Sequence, residues 1–391
     1  MKEKSKWITT AGFLLALFGL SFAFWITPDR LFSEQENRSL RTLPHISMKK
    51  VISGDYSSEI NDYFADQFPM RDAWVGQKGI AELLLGKGEN DGVLIGDDGQ
   101  LAKRFFDAKS ANGLSAVDID AFDPEHIKAS VDGINRLENN LEIPLSVLLT
   151  GRTIDVAASA FSYPSNFSDH LLSLIKKEIA SDVDYLDTVP MYRELFQNGE
   201  YVYYKTDHHW TTLGAYYAYC EIMKSFDMQE EIIPASSFEK RVVEEPFYGT
   251  AWSAGGMKFV SPDKMELWLG EDEDSYSVTV DGKDLGGFYR YEYLTKKDKY
   301  SVFLDGTHDV VTITKKDAVD RPVLLLVKDS FANSLAPFLA RHFDLVLLNL
   351  SSSKNDYTNV SAYAKEYGAD RVLLVYTLEN VITADKLCRL K

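Results

Sequence analysis

Cysteine is scarce in this sequence, and the shortage excludes whole classes of protein. Among 391 residues there are two cysteines, Cys220 and Cys388. They lie far apart and belong to no metal-binding spacing, so neither a disulfide scaffold nor a cysteine-based metal centre is indicated. We expect two free, buried thiols; a single disulfide is the alternative if the domain is extracellular.

Positive charge is also in short supply. The chain has 42 lysines and arginines against 59 aspartates and glutamates, a formal net charge of −17. No basic cluster offsets this excess locally, which argues against nucleic-acid binding. Internal repeats and low-complexity segments do not stand out either. What remains, 45% hydrophobic and 26% charged residues, is typical of a globular protein with a substantial core.

An uncharged apolar run at the N-terminus, residues 7–26, is long enough to cross a bilayer as a helix. Aromatic residues lie near its ends, where they favour the membrane interface, and three lysines precede it. The lysines predict that residues 1–6 are a cytoplasmic tail and that the remaining chain is extracytoplasmic. A cleaved signal peptide is the alternative, with small residues at 21 and 23. Because the run is long for a signal, we predict an uncleaved transmembrane anchor over 7–26.

The rest of the chain predicts a linker or strap over 27–53 and one α/β domain over 54–391. Two amphipathic helices at 54–64 and 72–85 and a hairpin at 93–101 come first. From about residue 123, helical patterns alternate with apolar runs typical of buried strands. These runs lie at 145–149, 323–327, 345–348 and 372–375. The alternation predicts a mostly parallel sheet flanked by helices.

The segment 230–320 differs from its surroundings and is predicted to be strand-rich. It contains the alternating run 276–280 and turn signals at Asp281 and Asp305. We interpret it as an insertion or a small antiparallel sheet.

Acid–base side chains are concentrated in the stretch 205–211, which follows the tyrosine-rich extended run 201–204 and precedes a helical pattern. Asp207 and His209 should therefore lie in a strand-to-helix loop, where catalytic groups are often presented. A plain helix-capping role for the aspartate is the alternative.

Ser330 is the matching feature in the second half of the chain. It follows the apolar run 323–327 and precedes a helical pattern, so it should lie at the carboxyl edge of the sheet. A serine needs a neighbouring base to act as a nucleophile; His209 can be that base, and Asp207 can orient the imidazole. Capping of the next helix by Ser330 or Asp329 is the alternative.

The two neighbours of His209 are assigned other roles. In an extended loop alternate side chains point to opposite sides, so His208 should be a structural or substrate-contact residue rather than the base. Trp210 either packs under the loop or stacks on a sugar, and we favour packing. Adjacent histidines that point apart make a poor metal site, and no metal is predicted.

Several segments together resemble the bacterial DHHW proteins, which take their name from the signature Asp207–Trp210. Beyond the apolar N-terminus, the resemblance covers segments 32–38, 63–71, 92–96, 247–249, 328–330 and 378–380. The family is similar to the SGNH-like alginate O-acetyltransferases of the periplasm, in which an Asp-x-His precedes the serine. The resemblance implies an SGNH-hydrolase-like fold and a triad of Asp207, His209 and Ser330. Gly151 and Asn333 are candidate oxyanion donors.

The resemblance further implies an extracytoplasmic O-acetyltransferase, held in the cell membrane, that modifies a cell-surface polysaccharide. No cofactor is expected; a membrane-bound O-acyltransferase partner would deliver the acyl group. An esterase or polysaccharide deacetylase would use the same triad with water as the acceptor. A non-catalytic, glycan-binding envelope protein is the third alternative.

Overall fold

The computed structural model of the protein describes residues 2–33, 38–103, 124–161, 167–280, 282–351 and 355–391. Residues 34–37 of the segment 32–38, and Asp281 of one predicted turn, lie outside the described residues. The chain divides into two compact units. Unit 1 comprises Met1–Asn90 and Ser253–Phe259, and unit 2 comprises Asp91–Trp252 and Val260–Lys391.

Unit 1 is mainly helical. Its helices are α1 Lys2–Ile26, α2 Met48–Ser53, α3 Asp55–Asp66 and α4 Arg71–Leu84, and its short strands are β1 Phe32–Ser33, β2 Arg38–Ser39 and β3 Glu89–Asn90. Within α1, Lys6–Ile26 has a mean hydropathy of 1.8 and is long and apolar enough to cross a membrane. The predicted linker contains α2 and the antiparallel β1–β2 pair. Helix α3 ends before Pro69, as the sequence predicts.

Unit 2 holds the other strands. They are β4 Val93–Ile95, β5 Leu101–Lys103, β6 Leu145–Thr150, β7 Asp184–Asp187, β8 Glu239–Phe247, β9 Asp263–Leu269, β10 Tyr276–Val280, β11 Lys283–Gly286, β12 Val310–Lys315, β13 Val323–Lys328, β14 Asp344–Asn349 and β15 Arg371–Thr377. Strands β4 and β5 pair antiparallel, which confirms the predicted hairpin. Strands β8 and β9 form a separate antiparallel ribbon.

The remaining helices cover the sheet or connect its strands. They are α5 Pro124–Asn140, α6 Thr153–Val156, α7 Phe167–Glu178, α8 Val189–Gln197, α9 Thr212–Ser225, α10 Thr250–Gly255, α11 Ala332–Leu339, α12 Val360–Tyr367 and α13 Leu378–Thr383. Helix α9 begins where it does because the Thr211 hydroxyl accepts a hydrogen bond from the Gly214 amide at 3.1 Å.

One eight-stranded sheet organises unit 2, in the order β11-β10-β12-β14-β13-β15-β6-β7. Strands β14, β13, β15, β6 and β7 run parallel to one another. Strands β12, β10 and β11 continue the sheet on one side in antiparallel fashion. The segment 230–320 is strand-rich, as predicted, but these three strands do not form a small antiparallel sheet of their own. They extend the main sheet because β12 pairs with β14.

The two faces of the sheet belong to two hydrophobic cores. In β13, Leu324 and Leu326 pack into the core that contains α9 and α11, whereas Leu325 and Val327 pack into the core that contains α5 and α12. This alternation is the period of two expected of a strand covered on both sides, and it explains why its sequence is continuously apolar.

Both cysteines are free and only partly buried. The disulfide alternative for Cys220 and Cys388 is therefore wrong.

Candidate active site

Ser330 lies just beyond β13, a central strand of the sheet, in a turn that Asp329 holds. One Asp329 carboxylate oxygen accepts the Phe331 amide at 3.0 Å. The other accepts the Thr377 amide at 2.7 Å and the Asn380 side chain at 2.8 Å. The turn is thus fixed to the end of the neighbouring strand β15.

The capping interpretation of Ser330 is wrong. Phe331 occupies the N-cap position of α11. The Ser330 hydroxyl contacts His209, and the side chain that accepts the Phe331 amide belongs to Asp329. The Ser330 amide has no acceptor within the described part of the chain, and it precedes the N-terminus of α11. That amide is consequently available to an oxygen that becomes negatively charged beside the Ser330 hydroxyl.

The loop that carries the histidines is built differently from the predicted strand-to-helix connection. Residues 201–204 do not form a strand of the sheet; Tyr203 makes an isolated bridge with Trp210. The buried carboxylate of Asp263 supports the loop instead. It accepts the amides of Lys205 at 2.9 Å and Thr206 at 2.7 Å, and also the Tyr201 hydroxyl.

A continuous chain of hydrogen bonds joins the two halves of the site. The Ser330 hydroxyl lies 2.8 Å from His209 Nε2, and His209 Nδ1 lies 2.6 Å from Asp207 Oδ1. Because a carboxylate can only accept, the proton of the neutral imidazole resides on Nδ1. Nε2 is then the acceptor for the Ser330 hydroxyl. This is the arrangement in which a serine can be deprotonated.

Asp207 is buried, with 1% of its surface exposed, and yet its surroundings favour the ionised form. Burial alone would raise the pKa of this carboxyl, but His209 and the hydrogen bonds that the carboxylate accepts hold the pKa well below its ordinary value. One of those bonds comes from the Thr250 amide, at 2.7 Å from Oδ2. A Cβ atom on Gly249 would lie 2.3 Å from that same oxygen. A glycine is therefore needed where this segment passes Asp207.

The His209 ring is clamped by aromatic side chains. It stacks on Tyr300 with ring centroids 3.7 Å apart and an angle of 6° between the planes. The Tyr300 hydroxyl lies 3.0 Å from Ser334 Oγ, and burial raises the pKa of this tyrosine. Phe331 lies on another side of the imidazole, with a centroid distance of 5.0 Å. The imidazole is thus held in one orientation.

His208 is partly buried beside His209, and the two ring centroids are 3.8 Å apart. The expectation that the adjacent histidines point to opposite sides of an extended loop is therefore wrong. Its Nδ1 lies 2.6 Å from the Thr250 hydroxyl. Burial, followed by the proximity of His209, lowers the pKa of His208 well below its ordinary value, so this ring stays neutral. His208 also lines a small cavity of about 30 Å³ together with Arg152, Thr153 and Phe331.

Two of the predicted contact or oxyanion residues lie in the core instead. Trp210 is fully buried, and its indole N–H donates to the Phe331 carbonyl at 3.0 Å and to Ser334 Oγ at 2.9 Å. Stacking of Trp210 on a sugar is therefore wrong, and the favoured packing role is the one observed. Asn333 is 1% exposed; its amide donates to the Gly306 carbonyl at 2.9 Å and its oxygen accepts from Lys328.

Gly151 lies just beyond β6, where its carbonyl accepts the Tyr203 hydroxyl at 2.8 Å. The next residue, Arg152, is held by Asp155 through two contacts of 2.7 Å. Thr153 is 4% exposed, and its hydroxyl has no partner within the described ranges. Arg152 and Thr153 are site neighbours that the sequence reasoning missed. Their position just after a predicted buried strand could have identified them, because the same position identified Ser330.

Asp207, His208 and His209 form a group whose possible metal-binding atoms all lie within 4.8 Å of one another. Both His209 nitrogens, however, already contact protein oxygens. A metal bound by this imidazole would break its contact with Asp207 or Ser330, so metal binding and the hydrogen-bonded chain are mutually exclusive.

Comparison with known families gives one clear result. The family model described as "DHHW protein" matches residues 153–349, which span both the Asp207–Trp210 signature and Ser330. The chain belongs to the DHHW family. No curated protein matches the chain.

Solved structures show the fold that this DHHW family chain shares. A DHHW family protein from Eubacterium siraeum matches with a TM-score of 0.59 and 17% identity, over 77% of this chain and 95% of that one. Bacillus cereus PatB1, solved with a sulfonyl adduct, matches with a TM-score of 0.61 and 20% identity. The match covers 76% of this chain and 98% of PatB1. The O-acetyltransferase domain of Pseudomonas putida AlgJ matches with a TM-score of 0.44 and 13% identity. The match covers 75% of this chain and 92% of that domain.

Proposed function

We propose that the protein is an SGNH-like O-acetyltransferase, anchored in the cell membrane by α1, that acts outside the cytoplasm on a cell-surface polysaccharide. The observation that carries the proposal is the contact of 2.8 Å between Ser330 Oγ and His209 Nε2, continued by 2.6 Å from His209 Nδ1 to Asp207. A buried, pre-oriented base beside a serine hydroxyl supports acyl transfer through a covalent intermediate.

In the first half-reaction Ser330 Oγ attacks the carbonyl carbon of an acetyl donor while His209 Nε2 takes the hydroxyl proton. Asp207 stabilises the imidazolium that forms. The Ser330 amide is the proposed oxyanion donor, and Gly151 remains a second candidate. The donor's leaving group then departs with the proton from His209, and an acetyl-serine ester remains.

In the second half-reaction a glycan hydroxyl gives its proton to His209 and attacks the carbonyl carbon of the ester. Ser330 Oγ then leaves with that proton from His209, and the acetylated glycan is released. His208 is proposed to contact the acceptor, since its neutral ring lines the cavity beside Phe331. The acetyl donor is expected to come from a membrane-bound O-acyltransferase partner, because no acetyl-CoA is expected outside the cytoplasm.

The test uses the purified full chain in detergent, with a chromogenic acetyl ester as donor. Intact-mass spectrometry should detect one added acetyl group on the natural chain and none on Ser330→Ala, with Ser237→Ala, an exposed serine, as the matched control. A sulfonyl fluoride should label Ser330 and block acetylation; PatB1 itself has been solved with a sulfonyl adduct. Full activity of Ser330→Ala would overturn the proposal.

A transferase passes the acetyl group to a glycan, whereas an esterase passes it to water. Addition of envelope polysaccharide should accelerate ester consumption and place acetyl groups on the polymer, as measured by NMR of the recovered glycan. Ester hydrolysis at an unchanged rate, with no acetyl on any polymer tested, would support the esterase. Absence of acetyl-serine, together with glycan binding, would support a non-catalytic envelope protein.

A further inference from the structure

Unit 1 exposes apolar side chains in a way that unit 2 does not. Within the described part of residues 31–85, large apolar side chains are exposed in two groups, at 31–52 and at 64–85, with Ile52 80%, Leu84 84% and Leu85 78% exposed. Within the described part of unit 2, large apolar side chains of comparable exposure are confined to four scattered positions: Tyr201, Val242, Tyr291 and Val319. A concentration of exposed apolar residues in one part of a protein marks a surface that is covered by something else.

In helix α4 the buried residues and the exposed apolar residues lie on opposite sides of the helix. One face, with Gly76 and Gly79, packs inside unit 1; a Cβ on Gly76 would lie 3.0 Å from the Lys258 side chain. The opposite side of the helix carries the exposed apolar residues Trp74, Ala81 and Leu84 at helical spacing, with the exposed Gln77 and Lys78 among them. Leu85 follows as the C-cap residue. Such a mixed apolar and polar stripe on an exposed helix side is typical of an amphipathic helix that packs against an apolar environment.

The contact between α1 and α3 indicates which environment covers the exposed apolar residues of unit 1. Phe24 lies within the apolar span Lys6–Ile26. Its ring packs against Phe64 of α3, with centroids 5.2 Å apart, and against Tyr63 at 5.9 Å. Because a helix rises 1.5 Å per residue, Phe24 is only about 3 Å from the end of the span. If α1 crosses the bilayer, Phe64 must lie at the depth of the outer interface.

We propose that the exposed apolar surface of unit 1 rests in the outer interface of the lipid bilayer. The inference depends on the proposed anchoring by α1, but not on the acyltransfer chemistry. Helices α2 to α4 would lie at the headgroup level with their apolar side chains toward the acyl chains, as interfacial amphipathic helices do. Trp74 and Lys78 suit that depth, since an indole favours the interface and a lysine can extend its ammonium group to water.

The experiment uses the full chain reconstituted into phosphatidylcholine and phosphatidylglycerol vesicles without any other protein. Cys220 and Cys388 are replaced by serine, and a bimane label is attached to a single new cysteine at Phe18, Phe64 or Leu84. Brominated lipid quenches a label within the bilayer, and aqueous iodide quenches one in water. Thermal unfolding checks that each labelled chain keeps the stability of the unlabelled one.

We expect brominated lipid to quench the labels at Phe64→Cys and Leu84→Cys, less than at Phe18→Cys, with iodide access reduced at both. Free iodide access at Leu84→Cys and no lipid quenching, while Phe18→Cys is quenched, would overturn the proposal and assign the surface to a protein partner. If brominated lipid does not quench the label at Phe18→Cys, α1 does not cross the bilayer, and the proposal fails with the anchor. Neither outcome bears on the acetyl-serine test.

Discussion

The two halves of the candidate site are built in different ways. Ser330 follows a central strand directly, and Asp329, its neighbour in sequence, ties the turn to β15. His209 and Asp207 lie in a loop outside the sheet, and its support comes from distant segments, through Asp263 and the Thr250 amide. One half is therefore fixed by the strands of the sheet, and the other by contacts from segments outside it.

This difference has a mechanical consequence. The sheet positions the serine half, because β13 is paired on both sides. The histidine half depends on hydrogen bonds to the buried carboxylates of Asp207 and Asp263 and on the stacking of His209 on Tyr300. Changes to distant residues should therefore affect the histidine half more than the serine half.

The largest expected effect is that of Asp207→Asn. An amide cannot stabilise the imidazolium and favours the wrong tautomer of His209, so the rate of acetyl-serine formation should fall about 10⁴-fold. Stopped-flow measurement with a chromogenic acetyl ester checks this. Because the pKa of Asp207 is held well below its ordinary value, the loss should persist at every pH from 5 to 9. A loss of less than about tenfold would contradict the assigned role.

Gly249→Ala should come next. The new Cβ would lie 2.3 Å from Asp207 Cβ and Oδ2, so the carboxylate must move. A displacement of this kind costs about 10²-fold or more in the rate of the chemical step, with little effect on donor binding. Gly287→Ala is the matched control, because its Cβ would have no neighbour within 4 Å. Equal rates for the two variants would show that the loop is adaptable, and the contrast between the halves would fail.

Asp263→Asn and Asp329→Asn compare the halves directly, since each changes one carboxylate that accepts several hydrogen bonds. We expect Asp263→Asn to lower the acylation rate by about 10²-fold through misplacement of the loop. Asp329→Asn should lower it by about tenfold, equivalent to roughly 1.4 kcal/mol, because the strand still positions Ser330. Both rates come from the same acetyl-ester assay, with circular dichroism to confirm folding. The reverse order would show that Ser330 depends on its neighbouring carboxylate more than the histidine loop depends on Asp263.

Lys328→Met should have the smallest effect on chemistry and a clear effect on the pH dependence of stability. Burial lowers the pKa of Lys328 to about 8, whereas an unfolded lysine titrates near about 10.4. Between these values the unfolded chain binds more protons, so stability rises with pH in this window. Urea unfolding at pH 7.5, 9 and 10.5 should show a shallower rise for Lys328→Met. Parallel curves for the two proteins would contradict a buried, titrating lysine.

Local patterns in the sequence determined a large part of the fold. The apolar runs predicted the strands β6, β13, β14 and β15, because strands buried on both faces are continuously apolar. They also placed Ser330 at the carboxyl edge of the sheet. Asp207 and His209 were recognised together because their spacing allows both side chains to reach one site. The same alternation argument was wrong for His208, whose ring lies beside that of His209.

Only the tertiary structure decided which residues complete the site. Thr250, Asp263 and Tyr300 lie far from the signature in sequence and carry no local signal of their contact with it. The burial of Trp210 and the engaged amide of Asn333 were equally hidden, as was the pairing of β12 with β14. Periodicity and spacing indicate which sides of a segment are buried. They do not indicate which other segments cover those sides. The partners of a buried side chain depend on how distant segments pack, and that packing brings Ser330 within hydrogen-bond distance of His209.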